Sequence, residues 1–358
     1  MIPISKPLIG KDEIDEVVRV LESGMLVQGE KVSELQTNFS NYLGVKYSVA
    51  TNNGTTALEL ALRSIDTKEG DEIITTPFTF IASSNAILFC RAKPVFVDID
   101  PETFNIDSNL IEEKITEKTK AILIVHLYGK PCNMDKIMAI AEKHNLKVIE
   151  DSCQAHGAEY KGKKVGSFGI GCFSFYATKN MTTGEGGMVT TDNREIAEKI
   201  EMLRNHGQED RYYHKILGYN YRMTNMAAAL GVVQLRKLDE MNEKRRENAR
   251  VFTENLKSIE GLVTPKEEEN EKHVFHQYTL RVTNKFPLSR DELVQVLKSN
   301  GVGTRIYYPV PVHKQDIYKS NESLTEAEKA SDEVISIPVH PGLSVEDVTK
   351  IVEIIRSV

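Results

Sequence analysis

Ala121-Ile122-Leu123-Ile124-Val125, a helical pattern over Met134–His144, and then Lys147-Val148-Ile149-Glu150-Asp151 set the architecture of this chain. An unbroken apolar run of strand length has no wet face, so it predicts a strand covered on both sides. A helix between two such strands returns the second one parallel to the first. The alternation extends outward. Toward the N-terminus, Tyr47–Ala50, Glu72–Thr75 and Pro94–Asp98 read as strands, with helices over Thr55–Ser64, Ser83–Cys90 and Asn109–Ile115. On the other side, Cys172–Tyr176 and Gly187–Thr191 add two more strands. The expectation is an α/β fold with a large, mostly parallel sheet covered by helices.

After Met223 the pattern changes to one long helix over Thr224–Leu256, with a turn near Gly261. Strands are expected at Phe275–Val282 and Thr304–Tyr308, helices at Ser289–Ser299 and Ser344–Ile355, and a solvated turn at Glu267-Glu268-Glu269. A boundary inside the long helix, near residue 245, would divide a large α/β domain (1–245) from a smaller α+β domain (246–358). With 358 residues and 40% hydrophobic content, the chain can bury one large core and a second, smaller one. A dispersed net charge of −7 argues against nucleic acid or an anionic membrane as partner. No run approaches the roughly 18 apolar residues of a membrane span. The start, Met1-Ile2-Pro3-Ile4-Ser5-Lys6, lacks a signal peptide's apolar centre, so a soluble, cytoplasmic protein is expected. Cys90, Cys132, Cys153 and Cys172 have no C-x-x-C spacing, and neither a metal site nor a disulfide framework is indicated.

Ligands of open parallel sheets bind at the carboxyl ends of the strands, and three features fall at such ends. Asn52-Asn53-Gly54-Thr55-Thr56-Ala57 is a strand-to-helix turn whose free N–H groups suit an anion; its plain alternative is an ordinary helix cap. Asp151 ends an apolar strand, where a carboxylate either caps the next helix or meets a cation such as a protonated pyridine nitrogen; Gln154 stands within reach of the same ring. Phe173-Ser174-Phe175-Tyr176-Ala177-Thr178-Lys179-Asn180, followed by Gly184-Glu185-Gly186-Gly187, ends an apolar strand in one lysine beside a glycine-rich turn. Desolvation there lowers a lysine's pKa and makes it a nucleophile toward carbonyls, with Ser174 a candidate phosphate ligand. Each feature alone has a bland reading. Jointly they fit a phosphorylated pyridine aldehyde held as a Schiff base, that is, pyridoxal 5′-phosphate (PLP).

These residues also carry a resemblance that runs nearly end to end. It includes Ser5-Lys6-Pro7, Asn53 to Leu58, Thr76-Pro77-Phe78-Thr79-Phe80, Lys93 to Asp100, Glu150-Asp151 with Gln154, and the Phe173–Gly187 block. It continues through Leu203-Arg204-Asn205-His206-Gly207, Gly218 to Met223, and Tyr307-Tyr308-Pro309 with His313. The chain resembles the DegT/DnrJ/EryC1/StrS family of PLP-dependent sugar aminotransferases. The resemblance implies a fold type I architecture and a homodimer with shared active sites. It implies Lys179 as the lysine bound to the cofactor, Asp151 at the pyridine nitrogen, Gln154 at the ring oxygen and Phe80 on the ring face. Gly54, Thr55 and Ser174 would hold the phosphate, joined by Asn220 from the other subunit, and Tyr308 and His313 would contact the sugar-nucleotide.

The implied reaction moves an amino group from L-glutamate to a keto carbon of a UDP- or dTDP-linked keto-deoxyhexose. Gly218–Thr224 resembles enzymes acting at C4, whereas Ile306–His313 resembles enzymes of 3-keto sugars; C4 is slightly favoured. The chain departs from the family pattern at Asn53, Cys153 and Ala177, where Ser, a small residue such as Ala, and Pro are usual, and Phe168–Gly171 lacks an acidic residue. Alternatives are an aminotransferase for a keto-inositol or similar cyclic ketone, and a non-catalytic PLP-binding regulator. The latter predicts a damaged lysine or aspartate, or an added DNA-binding module, and the sequence shows neither.

Overall fold

A computed structural model describes residues 1–318 and 320–358. The main sheet contains β1 (Tyr47–Thr51), β2 (Glu72–Thr75), β3 (Lys93–Phe96), β4 (Thr119–Val125), β5 (Lys147–Asp151), β6 (Ile170–Ser174) and β7 (Gly187–Thr191). Their order is β1-β7-β6-β5-β4-β2-β3. Only β7 runs against its neighbours; β2 through β6 pair in parallel. The helices described are α1 (Lys11–Ser23), α2 (Glu30–Leu43), α3 (Gly54–Ser64), α4 (Ala82–Phe89), α5 (Met134–Lys143), α6 (Arg194–Arg204), α7 (Asn225–Leu256), α8 (Arg290–Ser299), α9 (Thr325–Glu333) and α10 (Val345–Arg356).

The apolar β4 run divides between the two faces, as a strand's period of two requires. Ala121, Leu123 and Val125 pack with α3, α4 and α6, while Ile122 and Ile124 pack with α5. In β6 and just beyond it, Phe173 and Phe175 point into a third cluster with α2 and α7, each meeting Phe39 edge-on at 5.0 and 5.6 Å. Ser174, between them, is turned to the opposite face, toward the start of α3. The long helix α7 begins with the Thr224 hydroxyl accepting the Ala227 N–H at 3.2 Å. Its first half packs Ala228, Val232, Leu235 and Leu238 against the sheet. Its second half packs Ala249, Phe252 and Leu256 into a separate core with Tyr278, Leu280, Ile335 and Ile351. Ile2 joins that second core, so the chain's N-terminal residues lie on its C-terminal part.

Several elements differ from expectation. Asn109–Ile115 forms only a 3-10 turn at Glu112–Lys114, since the Asp107 carboxylate holds the Asn109 N–H in a turn instead of a helix start. Thr304–Tyr308 is not a strand: Arg305 makes one isolated bridge to Ser336, and Pro309 and Pro311 then deny the ladder its donors. The helices α1, α2, α6 and α9 and the strand Val334–Ile337 fall in segments the sequence reading left unassigned. Among the described residues, no helix is long and apolar enough to cross a membrane.

The second core should be sensitive to a single truncation. Phe252, fully buried with its ring 5.2 Å from that of Tyr278, is its largest α7 side chain. Phe252→Ala should cost about 3–5 kcal/mol, read from the urea midpoint of unfolding.

Candidate active site

The carboxyl ends of β1, β5 and β6 open into a cavity of about 950 Å³. Gly54, Thr55, Phe80, Asp151, Gln154, Ser174, Lys179 and Tyr308 all line it. At the β1 end, Asn53 caps α3 by accepting the Thr56 N–H at 2.9 Å, which leaves the helix N-terminus facing the cavity. The approach there is close. A Cβ at Gly54 would stand 2.6 Å from Ser174 Cβ and 3.0 Å from Cys153 Sγ, and one at Gly187 would stand 2.3 Å from the Asn53 carbonyl oxygen. The glycine-rich run therefore serves tight backbone packing under the α3 cap as much as freedom of conformation.

Asp151 is buried, with its carboxylate accepting from Ser83 Oγ at 2.7 Å and from the Cys153 N–H at 3.1 Å. Its neighbour Glu150, on the opposite side of β5, is satisfied by the N–H groups of Gly166, Phe168 and Gly169 (2.7–2.8 Å) and by His126 Nε2 at 3.1 Å. The Cys132 N–H donates to His126 Nδ1, so the proton of His126 sits on Nε2 and points at Glu150. Burial pushes the Glu150 pKa up, but His126 and the loop amides outweigh it and hold the carboxyl below its ordinary value.

Lys179 follows a turn closed by its own N–H to the Tyr176 carbonyl at 2.9 Å. Among the described residues its Nζ has no hydrogen-bond or ion-pair partner, and burial lowers its pKa against the opposing pull of the Asp151 carboxylate. Cys153 itself is pushed well up by burial, so beside the cavity it is a thiol and packs as a small apolar group. Gln154 is fixed at both ends, its Oε1 taking the Tyr128 N–H at 3.0 Å and its Nε2 donating to the Tyr308 hydroxyl at 3.1 Å. Phe80 is 57% exposed and lies 6.4 Å from the Tyr308 ring, so an apolar face is presented to whatever fills the cavity.

Two expected site residues lie elsewhere. His313 is fully buried behind the cavity, its Nε2 against Glu328 at 3.1 Å and its ring beside Phe96, because the Val312 N–H bonds the Pro77 carbonyl and tucks the segment under that turn. This corrects its placement as a sugar contact within the same chain. Asn220 is exposed and bridged to Asn205, outside the cavity of its own chain. Among the further wall residues, Tyr221 and Tyr307 lie in stretches quoted for the resemblance, whereas His276, Gln277 and Arg305 were given no site role. Tyr221 lines the cavity with its hydroxyl 3.1 Å from Glu59, and His276, Gln277, Arg305 and Tyr307 complete the far side. Ser83 had a signal, lying one helical turn beyond the singled-out Thr76–Phe80 run, whereas His276 and Gln277 reach the site only through tertiary folding.

Comparisons with known proteins agree with this geometry. The family described as "DegT/DnrJ/EryC1/StrS aminotransferase family" matches residues 7–356. The chain is 45% identical to the "Pleiotropic regulatory protein" of Geobacillus stearothermophilus, over 95% of this chain and 91% of that one. It is 39% identical to the GDP-perosamine synthase of Caulobacter vibrioides (98% and 96% covered). It is also 39% identical to the UDP-N-acetyl-3-dehydro-alpha-D-glucosamine 3-aminotransferase of Acidithiobacillus ferrooxidans (97% and 94%). Among solved structures, the aminotransferase from Psychrobacter cryohalolentis superposes with a TM-score of 0.94 at 36% identity, covering 99% and 98% of the two chains. A Streptococcus pneumoniae protein solved in its PLP form gives 0.93 at 31%, with 99% and 98% covered.

The buried carboxylate behind the site has a measurable signature. Glu150→Gln would set an amide N–H against donors that need an acceptor, at a cost on the order of 3–5 kcal/mol at neutral pH. Because the folded-state pKa is depressed, this stabilisation is complete above the ordinary value of 4.5 and is lost as pH falls through the folded value. Urea midpoints of parent and variant should therefore differ at pH ~7 and converge in acid.

Proposed function

The chain belongs to the DegT/DnrJ/EryC1/StrS aminotransferase family and is a PLP-dependent sugar aminotransferase; on that premise we propose that it transfers an amino group from L-glutamate to a keto carbon of a UDP- or dTDP-linked keto-deoxyhexose. The observation that carries this reading is a half-buried lysine, without a side-chain partner among the described residues, facing the same cavity as a buried strand-end carboxylate. The residues fit the cofactor: the Gly54 approach leaves the α3 N-terminus and Ser174 as a phosphate cradle, and Lys179 Nζ is free to be claimed by a carbonyl carbon. In this assignment Lys179 would hold the cofactor's carbonyl carbon, Asp151 the pyridine nitrogen, Gln154 the ring oxygen and Phe80 the ring face. Gly54, Thr55 and Ser174 hold the phosphate, with Asn220 contributed by a second copy of the chain.

When bound, PLP supplies an electron sink for the amino-group carbon. The chain supplies the proton handling. Burial favours the neutral form of Lys179 Nζ, which can take a proton from the donor's α-carbon and return one to the adjacent site within reach. Ser83 and the Cys153 amide keep the Asp151 carboxylate from turning away. Tyr308, held by Gln154, gives the acceptor sugar a hydroxyl contact on the opposite wall.

A homodimer is supported by α1, which buries two glutamates and leaves several large apolar side chains exposed. Glu13 and Glu16 face inward to Lys237 and Lys31, while Ile14, Val18 and Leu21 are 52, 41 and 52% exposed, and Met25, Leu26 and Val27 extend the patch. An apolar stripe of this kind is what a second copy would cover. A cytoplasmic location is in keeping with the four free cysteines.

For the position aminated we propose C4, on the segment Gly218–Thr224, whose Tyr221 reaches the cavity. A second reading, C3, draws on Ile306–His313 and on the 3-aminotransferase relative.

Lys179→Ala should abolish the absorbance of lysine-bound PLP and all turnover; a variant that still transaminates sinks the assignment. Protein loaded with pyridoxamine phosphate and offered 3-keto and 4-keto UDP- and dTDP-hexoses should return to the PLP spectrum only with the true acceptor, and a return with 3-keto sugars alone replaces C4 by C3. Leu21→Glu together with Val18→Glu should yield a monomer in sedimentation velocity, whereas a monomeric parent removes the shared-site proposal.

A further inference from the structure

We infer that Asn180 and His276 are positioning residues for Lys179: an amide–imidazole lock that ties the backbone next to the lysine to the adjoining cavity wall and to α7. The inference rests on Lys179 being the reactive amine.

Asn180, 3% exposed, directly follows Lys179. Its Nδ2 donates to the Val274 carbonyl at 3.1 Å and to Asn242 Oδ1 at 2.8 Å, and its Oδ1 faces His276 Nδ1 at 3.2 Å. A backbone carbonyl can only accept, so the Val274 contact fixes which end of the Asn180 amide is which. Asn242 is fixed in the same way, since its Nδ2 donates to the His156 carbonyl at 2.8 Å. With Asn180 Oδ1 thereby an acceptor, His276 must carry its proton on Nδ1 and leave Nε2 as a lone pair. The groups facing His276 are Lys179, Arg245 and His156; burial first, then the two cations, hold the ring well below its ordinary pKa and therefore neutral.

The lock has a second clamp. Arg245, buried on α7, donates Nη1 to the Phe275 and His276 carbonyls at 3.4 Å each. His276 and Gln277 are themselves cavity wall. The backbone that carries the lysine, the long helix and the wall formed by His276 are thus joined by directional bonds around one asparagine. An arrangement of this kind limits where the Lys179 amine can go once it is unbound, and a misplacement of about 1 Å can cost on the order of a hundredfold in rate.

Asparagine offers an N–H where the imidazole has Nδ1, and glutamine offers polar atoms where it has Nε2. His276→Asn should therefore keep the lock and His276→Gln should break it. Competitive acylation of the cofactor-free protein across pH, with Lys179 quantified by peptide mass spectrometry, reads the lysine directly. We expect the parent and His276→Asn to titrate together, below ordinary lysine, and His276→Gln and Asn180→Ala to move up by about one unit as the amine gains access to water. In the loaded enzyme those two variants should lose about ten- to a hundredfold in kcat, with KM within about twofold. Asn242→Ala, remote from the cavity, should shift Lys179 in the same direction, and it serves if the wall variants fail to fold. Parent-like titration in His276→Gln and Asn242→Ala overturns the inference. So does the reverse order, with His276→Gln normal and His276→Asn defective, because Nε2 would then be touching substrate. If Lys179 titrates as an ordinary lysine in the parent, the reactive amine itself is misassigned and the inference falls with it.

Discussion

A carboxylate that cannot reach water organises the centre of this molecule. Glu150 lies inside the sheet, and each of its oxygens is met by donors from elsewhere: Phe168 and Gly169 on one, Gly166 and His126 on the other. An unpaired charge there would be prohibitive, so the loop carrying those amides has little freedom to be anywhere else. That loop leads directly into β6, and β6 leads to Ser174 and Lys179. Alternation along β5 then does the rest. With Glu150 committed to one face, Asp151 must emerge on the other, at the strand end where the cavity opens.

The cavity holds a carboxylate and an amine whose neutral form burial favours, and it does not pair them. Asp151 is occupied by Ser83 and the Cys153 amide, and Lys179 Nζ makes no ion pair with it among the described residues. A flat heterocycle with a cationic nitrogen at one edge and an electrophilic carbon at another satisfies both ends, and the glycines at 54 and 187 let the helix cap approach closely enough to hold a phosphate at a third.

The parts of this arrangement that were legible in the sequence were those carried by local chemistry. Residues such as Asp151 at the end of β5, Lys179 in the turn after β6, and Gly54 at the start of α3 announce themselves by interrupting an apolar period. The helix α7 was readable because its Ala- and Leu-rich pattern has little competition over thirty-two residues. Illegible elements fail for nameable reasons. In α1 Glu13 and Glu16 are inside with Val20 while Ile14, Val18 and Leu21 are outside, so the inward face lacks the continuous apolar stripe that marks a helix in sequence. The 304–308 segment has strand-like residues but only one bridge, because the prolines after it take the chain away from the sheet. His313 follows a motif that touches the cavity at Tyr308, and sequence proximity carried it there; five residues on, the chain has already turned under Pro77.

One relative bears the name of a regulatory protein, and the difference between sensing a cofactor and using it can be argued from what each demands. A sensor needs the phosphate cradle and the ring contacts; those can be built from backbone N–H groups, a serine, an aspartate and an aromatic face. It gains nothing from a lysine whose pKa burial lowers and whose amine has no hydrogen-bond partner among the described residues. Here that lysine is kept in place by a neighbouring asparagine with three hydrogen bonds to separate parts of the chain. Binding alone does not require such control over the position of one amine. Moving a proton between two adjacent atoms does, because that step is limited by where the base stands.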